Sequence, residues 1–139
     1  MSMADFNAQV ITEFRENAGK VGGMFEGSPL ILLHHIGARS GEARIAPLVY
    51  LPDRGRYVVV ASNNGAPENP AWYHNLKAHP DTTLEVGEET VPVIAQEASG
   101  DERERLFSAQ VAAQPQFGGY QEKTERTLPV MVLTPKAES

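Results

Sequence analysis

Two polar loops in the first half of the chain combine residue types that suit the binding of a cofactor. The first loop is the turn at residues 37–41 (Gly-Ala-Arg-Ser-Gly), which is followed by Arg44. A bent, glycine-rich backbone directs several N–H groups at one point, and guanidinium groups add charge-assisted hydrogen bonds. The turn therefore predicts a site for an anion with several oxygens. A tight hairpin whose glycines serve only backbone geometry is the alternative that this turn alone leaves open.

The second loop, residues 62–65 (Ser-Asn-Asn-Gly), is uncharged and rich in amide groups. Such groups can form hydrogen bonds with the polar edge of a flat heterocycle. A plain type I′ or II′ turn explains Asn64 and Gly65 equally well. Together, the two loops predict a cofactor with an aromatic head and an acidic tail.

Several other kinds of chemistry lack the residues that they require. The chain has no cysteine, which excludes disulfides, thiolate nucleophiles and cysteine-based metal sites. Neither a P-loop nor a Rossmann glycine pattern is present, and Ser40 lacks the Gly-x-Ser-x-Gly surroundings of a nucleophile elbow. His34 and His35 are adjacent in a predicted strand and point to opposite faces, and His74 and His79 do not share a helical face. We therefore predict no metal site.

The charge pattern also narrows the class of ligand. A net charge of −6 argues against nucleic acid as a partner, because nucleic-acid binding needs a basic face. Residues 39–56 nevertheless hold four arginines against two acidic residues, a local charge of +2 that leaves −8 on the rest of the chain. A small positive island on an acidic protein fits a small anionic ligand.

The hydropathy pattern predicts a cytoplasmic protein. No run approaches the roughly 20 apolar residues that span a bilayer, and polar residues interrupt any signal-peptide core near the start. A predicted helix at residues 5–20 places Phe6, Val10 and Phe14 on one face. We expect this face to pack on the barrel or on a partner chain, with peripheral contact to a membrane surface as the weaker alternative.

Apolar periodicity and turn residues predict one α+β domain over residues 1–139, with an N-terminal helix and glycine-rich lead-in at 1–29. Predicted strands lie at residues 30–36, 45–51, 57–61, 82–86, 90–96 and 128–134. Further helices are predicted at residues 70–77 and 100–113, with a loop at 115–119 and a helical turn at 120–126. Helices over the openings of short antiparallel hairpins indicate a small, partly open barrel of about six strands.

Three local signals refine these elements. Asn69 precedes Pro70, so we expect the asparagine to cap the helix and the proline to take its first position. Ser99 and Glu102 have the spacing of a capping box. Pro47 lies within a predicted strand, which places that strand at an edge or a bulge of the sheet.

Four blocks of sequence, in order, resemble one known family. They are Gly-Ala-Arg-Ser-Gly-x-x-Arg, Pro-Leu-x-Tyr, Val-Val-Ala-Ser-Asn-Asn-Gly and Asn-Pro-Ala-Trp-Tyr-His-Asn-Leu-Lys-Ala-His-Pro, all within residues 30–135. The chain thereby resembles the deazaflavin (F420)-dependent nitroreductases, which are split β-barrel oxidoreductases of actinobacteria. The resemblance implies a split β-barrel of mostly antiparallel strands with flanking helices. It also implies coenzyme F420 as cofactor and hydride transfer from reduced F420 to an electron-poor enone, quinone, unsaturated lactone or nitroaromatic.

The resemblance further implies which residues bind the cofactor. The phosphate and the start of the polyglutamate tail would be held by Ala38, Arg39, Ser40 and Arg44. The deazaflavin ring would be lined by Pro47, Leu48, Val49, Tyr50, Val60, Ala61, Ser62 and Asn63, with Trp72, Tyr73 and Asn75 as a wall over the cofactor. The other cofactor-binding residues would be Ile45, Ala46, Ala71, His74 and Phe117, the last of them in the substrate-side loop. Ser62 and Tyr120 would be the catalytic residues. Ser62, backbone N–H groups or Tyr120 would bond the developing charge, and Tyr120 or water would supply the proton.

The chain departs from the family's pattern at several positions. Asn63 stands where members often have a lysine, and Gln114, Phe117 and Val49 stand where they often have tyrosines. If one of the missing phenols donates the proton in nitroimidazole reduction, this protein is expected to be poor at that reaction. Its more apolar pocket favours an enone, a quinone or an unsaturated lactone as acceptor.

Two alternatives stay open at this point. Related split barrels bind FMN or FAD, so the first alternative keeps a redox enzyme and changes the cofactor. In the second, the barrel binds or carries F420 without catalysis, which the loss of tyrosines would suit. A small molecule is the expected partner in all three hypotheses, and a homodimer is compatible with each.

Overall fold

The computed structural model describes residues 3–23 and 27–136. Within these residues the helices are α1 (Met3–Glu16), α2 (Ala71–Ala78), α3 (Gly100–Ala113) and α4 (Gln116–Glu122). The strands are β1 (Leu30–Ile36), β2 (Ala43–Val49), β3 (Leu51–Asp53), β4 (Arg56–Val60), β5 (Asp81–Val86), β6 (Glu89–Glu97) and β7 (Val130–Pro135). A 3-10 turn, Asn63–Gly65, follows β4.

The strands form one antiparallel sheet in the order β2-β1-β5-β6-β7-β4-β3. β2 and β3 are its two edge strands, yet only Tyr50 separates them in the chain. Because one residue spans less than about 4 Å, the sheet has to curl until its two edges approach each other. The result is a half-barrel with flanking helices, which confirms the predicted partly open barrel.

The interruption at Tyr50 is the main difference from the predicted strands. Sequence periodicity predicts one strand here, but β2 ends at Val49 and the chain pairs with β4 from Leu51 onward. Tyr50 N–H donates to Pro29 O at 3.1 Å, outside the ladder of either strand. Four strands therefore precede α2, where three are expected. Pro47 lies in edge strand β2, as predicted, so no outer neighbour requires its missing N–H.

The sheet separates three apolar clusters. The inner cluster fills the half-barrel and includes Ile31, Leu33, Val59, Ala61, Trp72, Leu76, Leu84, Val93, Ala95, Met131 and Leu133. The second packs the outer face beneath α3 and α4 and includes Val58, Val60, Leu106, Phe117, Leu128, Val130 and Val132. The third packs α1 on β1 and β2 and includes Val10, Phe14, Leu30 and Leu32. The apolar face of the first helix thus packs on the barrel.

Two predictions of side-chain helix capping were wrong. α2 begins at Ala71 with Pro70 as its N-cap, because Asn69 turns its Oδ1 to the guanidinium of Arg126 instead. Ser99 takes the N-cap of α3 without a side-chain capping hydrogen bond. A competing long-range donor explains the first case, and nothing in the structure explains the second.

The segment after α3 also differs from its prediction. α4 occupies residues 116–122, where a loop and a later helical turn are expected. Gly118 and Gly119 lower the helix propensity of this segment. Burial of Phe117 against the outer cluster offsets that cost, since only 7% of its surface stays exposed.

Asp53 ties the β3–β4 hairpin to α3. Its carboxylate accepts hydrogen bonds from Arg105 at 3.0 and 3.2 Å and from Arg56 at 2.5 Å. Two hydrogen bonds hold the pKa of Asp53 well below its usual range, the one from Arg105 having the larger effect and the one from Arg56 the next. Because a depressed carboxyl pKa stabilises the fold only while the carboxyl is ionised, this contribution is present above about pH 4 and is lost in stronger acid.

We expect Asp53→Asn to lower the free energy of unfolding by about 1–2 kcal/mol near neutral pH, a low value for charged hydrogen bonds because Arg105 is open to solvent. Urea denaturation near neutral pH and near pH 3 measures this difference. Glu88→Gln, at the exposed β5–β6 turn, is the control. Equal stabilities of the two variants near neutral pH would contradict the prediction.

Candidate active site

The predicted anion site lies at the end of the β1–β2 hairpin. Gly37 N–H donates to Glu42 O at 2.9 Å and Gly41 N–H donates to Gly37 O at 2.9 Å, so the turn is closed by its own backbone. Gly41 has φ +73°, which glycine adopts without strain. The exposed Ser40 accepts Glu42 N–H on Oγ at 3.2 Å. The turn is therefore pre-formed, and its side chains face solvent.

Two guanidinium groups stand at this end of the barrel. Arg44 is opposite His35 in the β1–β2 register, and opposite residues of an antiparallel pair share a face. Arg44 thus lies on the inner face, and its exposed guanidinium bonds Glu42 Oε2 at 3.3 Å. Arg39 is exposed and has no hydrogen bond or ion pair within the described residues. Two accessible cations beside a closed turn fit the phosphate and carboxylate oxygens of F420.

Asn75 connects this turn to α2. Its Oδ1 accepts Ala38 N–H at 2.9 Å, and its Nδ2 lies 2.9 Å from His35 Nδ1. Since the amide nitrogen can only donate, Nδ1 of the imidazole accepts and Nε2 carries the proton. Burial, and secondarily the charge of Arg44, lower the pKa of His35 to about 4, so the ring is neutral near physiological pH. One buried amide therefore fixes both the turn and the tautomer.

Strand alternation places the side chains of the predicted cofactor-binding residues of β2 and β4 on two opposite faces of the sheet. Ala46 and Leu48 pack against the inner cluster, which also contains Ala61. The side chains of Ile45 and Val49 pack beneath α1, Pro47 shares the outer face with its register partner Leu32, and Val60 packs beneath α3 and α4. The side chains therefore cannot all face the same ligand, and cofactor binding by these residues stays a prediction. A period of two puts consecutive strand residues on opposite faces.

The predicted wall on α2 is also divided. Trp72 is 8% exposed and belongs to the inner cluster, whereas Ala71 and His74 are exposed. Tyr73 donates its hydroxyl to Glu97 Oε1 at 2.7 Å, and burial, followed by that hydrogen bond, raises the pKa of Tyr73. The Tyr73 hydroxyl thus has a hydrogen-bond partner within the chain, and the Trp72 side chain packs in the inner cluster.

The amide loop docks on α4. Asn63 has φ +48° and Gly65 φ +80°, so the segment is a 3-10 turn and differs from the type I′ or II′ turn considered above. Asn63 Nδ2 donates to Glu68 O at 3.0 Å. A Cβ on Gly65 would lie 2.8 Å from Tyr120 O and 2.9 Å from Lys123 Cβ. Only glycine permits this approach, which brings Tyr120 beside the loop.

The two predicted catalytic residues lie on opposite sides of this junction, one beside the 3-10 turn and the other on α4. Ser62 directly precedes the 3-10 turn, and Tyr120 contacts that turn through its backbone. Phe117 supports Tyr120, with ring centroids 5.4 Å apart and an edge-to-face arrangement. Within the described residues, neither the Ser62 Oγ nor the Tyr120 hydroxyl has a hydrogen-bond partner. Both hydroxyls are therefore free to bond a ligand.

Sequence reasoning missed two residues that organise the site. His35 has a visible signal, since it is a polar residue in a buried strand directly before the glycine turn. Arg126 belongs to no sequence motif that would mark it as functional, yet its guanidinium donates a hydrogen bond to the loop that carries Ser62. Its partners are separated from it by 57 to 65 residues, so no local pattern reveals them.

Two cavities of about 460 and 470 Å³ lie against the exposed face of α1 and beside the start of α3. Neither is lined by a residue predicted to bind the cofactor. In the part of the chain that the structure describes, no group of three His, Asp or Glu side chains could hold a metal ion. No helix there has the length and apolar character needed to cross a membrane.

Comparison with known proteins places the half-barrel among the split-barrel reductases. A solved structure described as an F420-H2 dependent reductase (FDR-A) is 39% identical with a TM-score of 0.70, covering 76% of this chain and 93% of that one. Another, described as a domain-swapped dimer, is 34% identical with a TM-score of 0.72, covering 95% and 99%.

The chain belongs to the F420H(2)-dependent quinone reductase family, whose model matches residues 7–135. Rv3178 of Mycobacterium tuberculosis strain ATCC 25618 / H37Rv is 45% identical over 108 residues, which cover 78% of this chain and 91% of the relative. Family membership confirms the predicted oxidoreductase, its cofactor F420 and hydride transfer from F420H2 to a quinone-type acceptor.

Proposed function

We propose that the protein reduces a quinone at the junction of the amide loop, α2 and α4, with F420 held by the glycine-arginine turn. The observation that carries this proposal is the docking of the amide loop on α4 through Gly65, at a junction where neither the Ser62 nor the Tyr120 hydroxyl has a hydrogen-bond partner within the described residues. The exposed Arg39 and Arg44 supply the cationic end of the same half-barrel. The half-barrel thus offers both an anion site and hydrogen-bond donors that have no partner within the described residues.

The chain's own residues bind and orient, since F420H2 supplies the hydride when it is bound. The N–H groups of Arg39 and Ser40, which have no acceptor within the described residues, and the two guanidiniums hold the phosphate and the start of the polyglutamate tail. Ala46 and Leu48 give the inner face near the site an apolar surface. We propose only backbone contacts for Ile45, Val49 and Val60, because their side chains pack elsewhere.

Reduction of a quinone to a hydroquinone takes one hydride and one proton. Ser62 Oγ donates a hydrogen bond to the quinone oxygen on which negative charge develops. The proton comes from the Tyr120 hydroxyl or from water. Phe117, the ring neighbour of Tyr120, lacks the hydroxyl that a tyrosine would add there, which favours a quinone over a nitroaromatic.

We expect purified protein to oxidise F420H2 in the presence of a naphthoquinone, followed by the return of oxidised F420 absorbance. Ser62→Ala and Tyr120→Phe should each lower kcat by about 10-fold or more, because each removes a donor from the reacting oxygen. Tyr57→Phe, at the opposite end of β4, is the matched control. Tight F420 binding without turnover across quinones, enones and nitroaromatics would establish the carrier alternative and reject the enzyme.

We also propose a homodimer and a cytoplasmic location. The related structure described as a domain-swapped dimer supports the first, since it aligns with 95% of this chain. The quinone reductase family supports the small-molecule acceptor as the other partner. Sedimentation at several protein concentrations tests the dimer, and a single monomeric species throughout would reject it.

A further inference from the structure

Arg126 lies in the segment between α4 and β7 and directs its guanidinium into the loop at residues 61–69. Nη2 donates to Ser62 O at 2.9 Å, Nη1 donates to Ala61 O at 3.2 Å, and Nε donates to Ala66 O at 3.0 Å. Nη1 also donates to Asn69 Oδ1. A single side chain thus bonds both ends and the middle of the loop.

These carbonyls need a donor because the chain leaves the sheet here. Ala61 N–H still bonds Pro129 O at 2.8 Å, which is the last ladder-like bond beyond β4. Ser62 O accepts Gly65 N–H at 2.9 Å, and no strand pairs with the carbonyls that follow. The five N–H groups of a planar guanidinium can serve several such carbonyls at once, which an ammonium group cannot do with fixed geometry.

The charge of Arg126 is not neutralised by an acid. Within the described residues no carboxylate forms an ion pair with it, and its acceptors are three backbone carbonyls and one amide. Burial lowers the pKa of Arg126. A half-buried positive charge is therefore hydrogen-bonded directly to the backbone carbonyl of Ser62.

The direction of Arg126 is set by α3 and α4. Gln121 Nε2 donates to Arg126 O at 2.7 Å, and Gln121 Oε1 accepts Leu128 N–H at 3.0 Å. Arg103 Nη2 donates to Leu128 O at 2.8 Å. The backbone at Arg126 and Leu128 is therefore held by hydrogen bonds from α3 and α4, and this arrangement directs the Arg126 guanidinium towards the loop.

We infer that Arg126 is a positioning residue of the quinone reduction, holding the Ser62 loop against α4 so that the Ser62 and Tyr120 hydroxyls keep one geometry. The role of Ser62 in this inference rests on the proposed function. Arg39 and Arg44 hold the other end of the cofactor in that proposal. Loss of Arg126 should therefore impair the reaction step far more than cofactor affinity.

The test is Arg126→Lys, which keeps the positive charge but replaces the planar guanidinium and its several N–H donors with an ammonium group. We expect kcat to fall by about 10-fold or more, since misplacing a reacting group by about 1 Å can cost 100-fold. The dissociation constant of F420 should change by less than about threefold, because the tail site is intact. In the cofactor-free protein, amide hydrogen exchange at Gly65 and Ala66 should accelerate by about 10-fold or more as the loop opens.

Arg56→Lys is the matched control, because Arg56 is also half-buried and lies at the far end of β4. It should leave kcat and exchange at Gly65 and Ala66 unchanged. Asn69→Ala is the milder second variant, used if Arg126→Lys does not fold, and should give about threefold effects in the same two measurements. Unchanged exchange in the cofactor-free protein would overturn the inference.

Loss of F420 affinity that accounts for the whole loss of kcat/KM would also overturn it, because Arg126 would then act in cofactor binding. A lower melting temperature with normal kcat per folded molecule would leave only a structural role and reject positioning. Absence of quinone turnover in the unmodified protein would reject the proposed function instead. The exchange measurement needs neither cofactor nor acceptor. It therefore tests the contact between Arg126 and the loop independently of the proposed function.

Discussion

Replacing Arg39 and Arg44 together with alanine is expected to weaken F420 binding by about 100-fold or more, because each charged hydrogen bond contributes about 1.5–3 kcal/mol. Both side chains are exposed, and neither belongs to an apolar cluster, so the fold should be unaffected. The Arg44 guanidinium already bonds the carboxylate of Glu42, whereas the Arg39 guanidinium has no hydrogen bond within the described residues. We therefore expect Arg39→Ala to account for at least half of the loss in free energy.

Titration with oxidised F420, followed through the fluorescence of Trp72, measures this effect. A deazaflavin riboside without the phosphate and glutamate tail should bind the double variant and the unmodified protein equally. The affinity of F420 should also fall with added salt in the unmodified protein and less steeply in the variant. Arg54→Ala, at the exposed β3–β4 turn, is the control for a general loss of charge. An equal loss in Arg54→Ala would contradict a specific anion site.

The second large effect concerns the pH dependence of folding. The pKa of His35 is about 4 in the folded protein, below an ordinary value of 6.5. Between these values the unfolded chain binds a proton on this residue and the folded protein does not. The stabilisation is therefore complete above about pH 6.5 and is lost as the pH falls through about 4, a total of about 3 kcal/mol for this difference in pKa.

Urea denaturation of the unmodified protein and of His35→Gln at several pH values between about 7 and 4 isolates this contribution. The difference in unfolding free energy between the two should shrink as the solution becomes acid. Arg44 on β2, neighbouring His34 and Asn75 on α2 surround the imidazole, and none of these changes in the variant. His79→Gln, an exposed histidine after α2, is the control and should leave the pH dependence unaltered. A pH-independent difference for His35→Gln would contradict a buried neutral imidazole.

The local elements were predictable where local forces decide them. Apolar runs bounded by turn residues predicted most strands, because hydrophobic periodicity and turn propensity are local properties of the sequence. Asn69 shows the limit of such reasoning. Its capping role follows from propensity, yet a distant guanidinium competes successfully for the same oxygen.

The candidate site was predictable in its residue types and only in part in its geometry. The ordered motif blocks indicated the cofactor, and the arginine turn is where they predict it, at one end of a hairpin. The side chains of Ile45, Val49 and Val60 lie on the opposite face from that of Ala46, because consecutive strand residues alternate. This alternation follows from the period of two and was predictable from the sequence.

By itself, the sequence determined the family, the cofactor and the positions of the cationic turn and the amide loop, because these depend on residue identity and short spacing. The tertiary structure alone decided that Asn75 reaches Ala38 across 37 residues and that Arg126 reaches Ser62 across 64. The physical reason is that a hydrogen bond forms where a free donor and acceptor meet. Which groups meet is set by the curling of the whole sheet and the docking of helices on it.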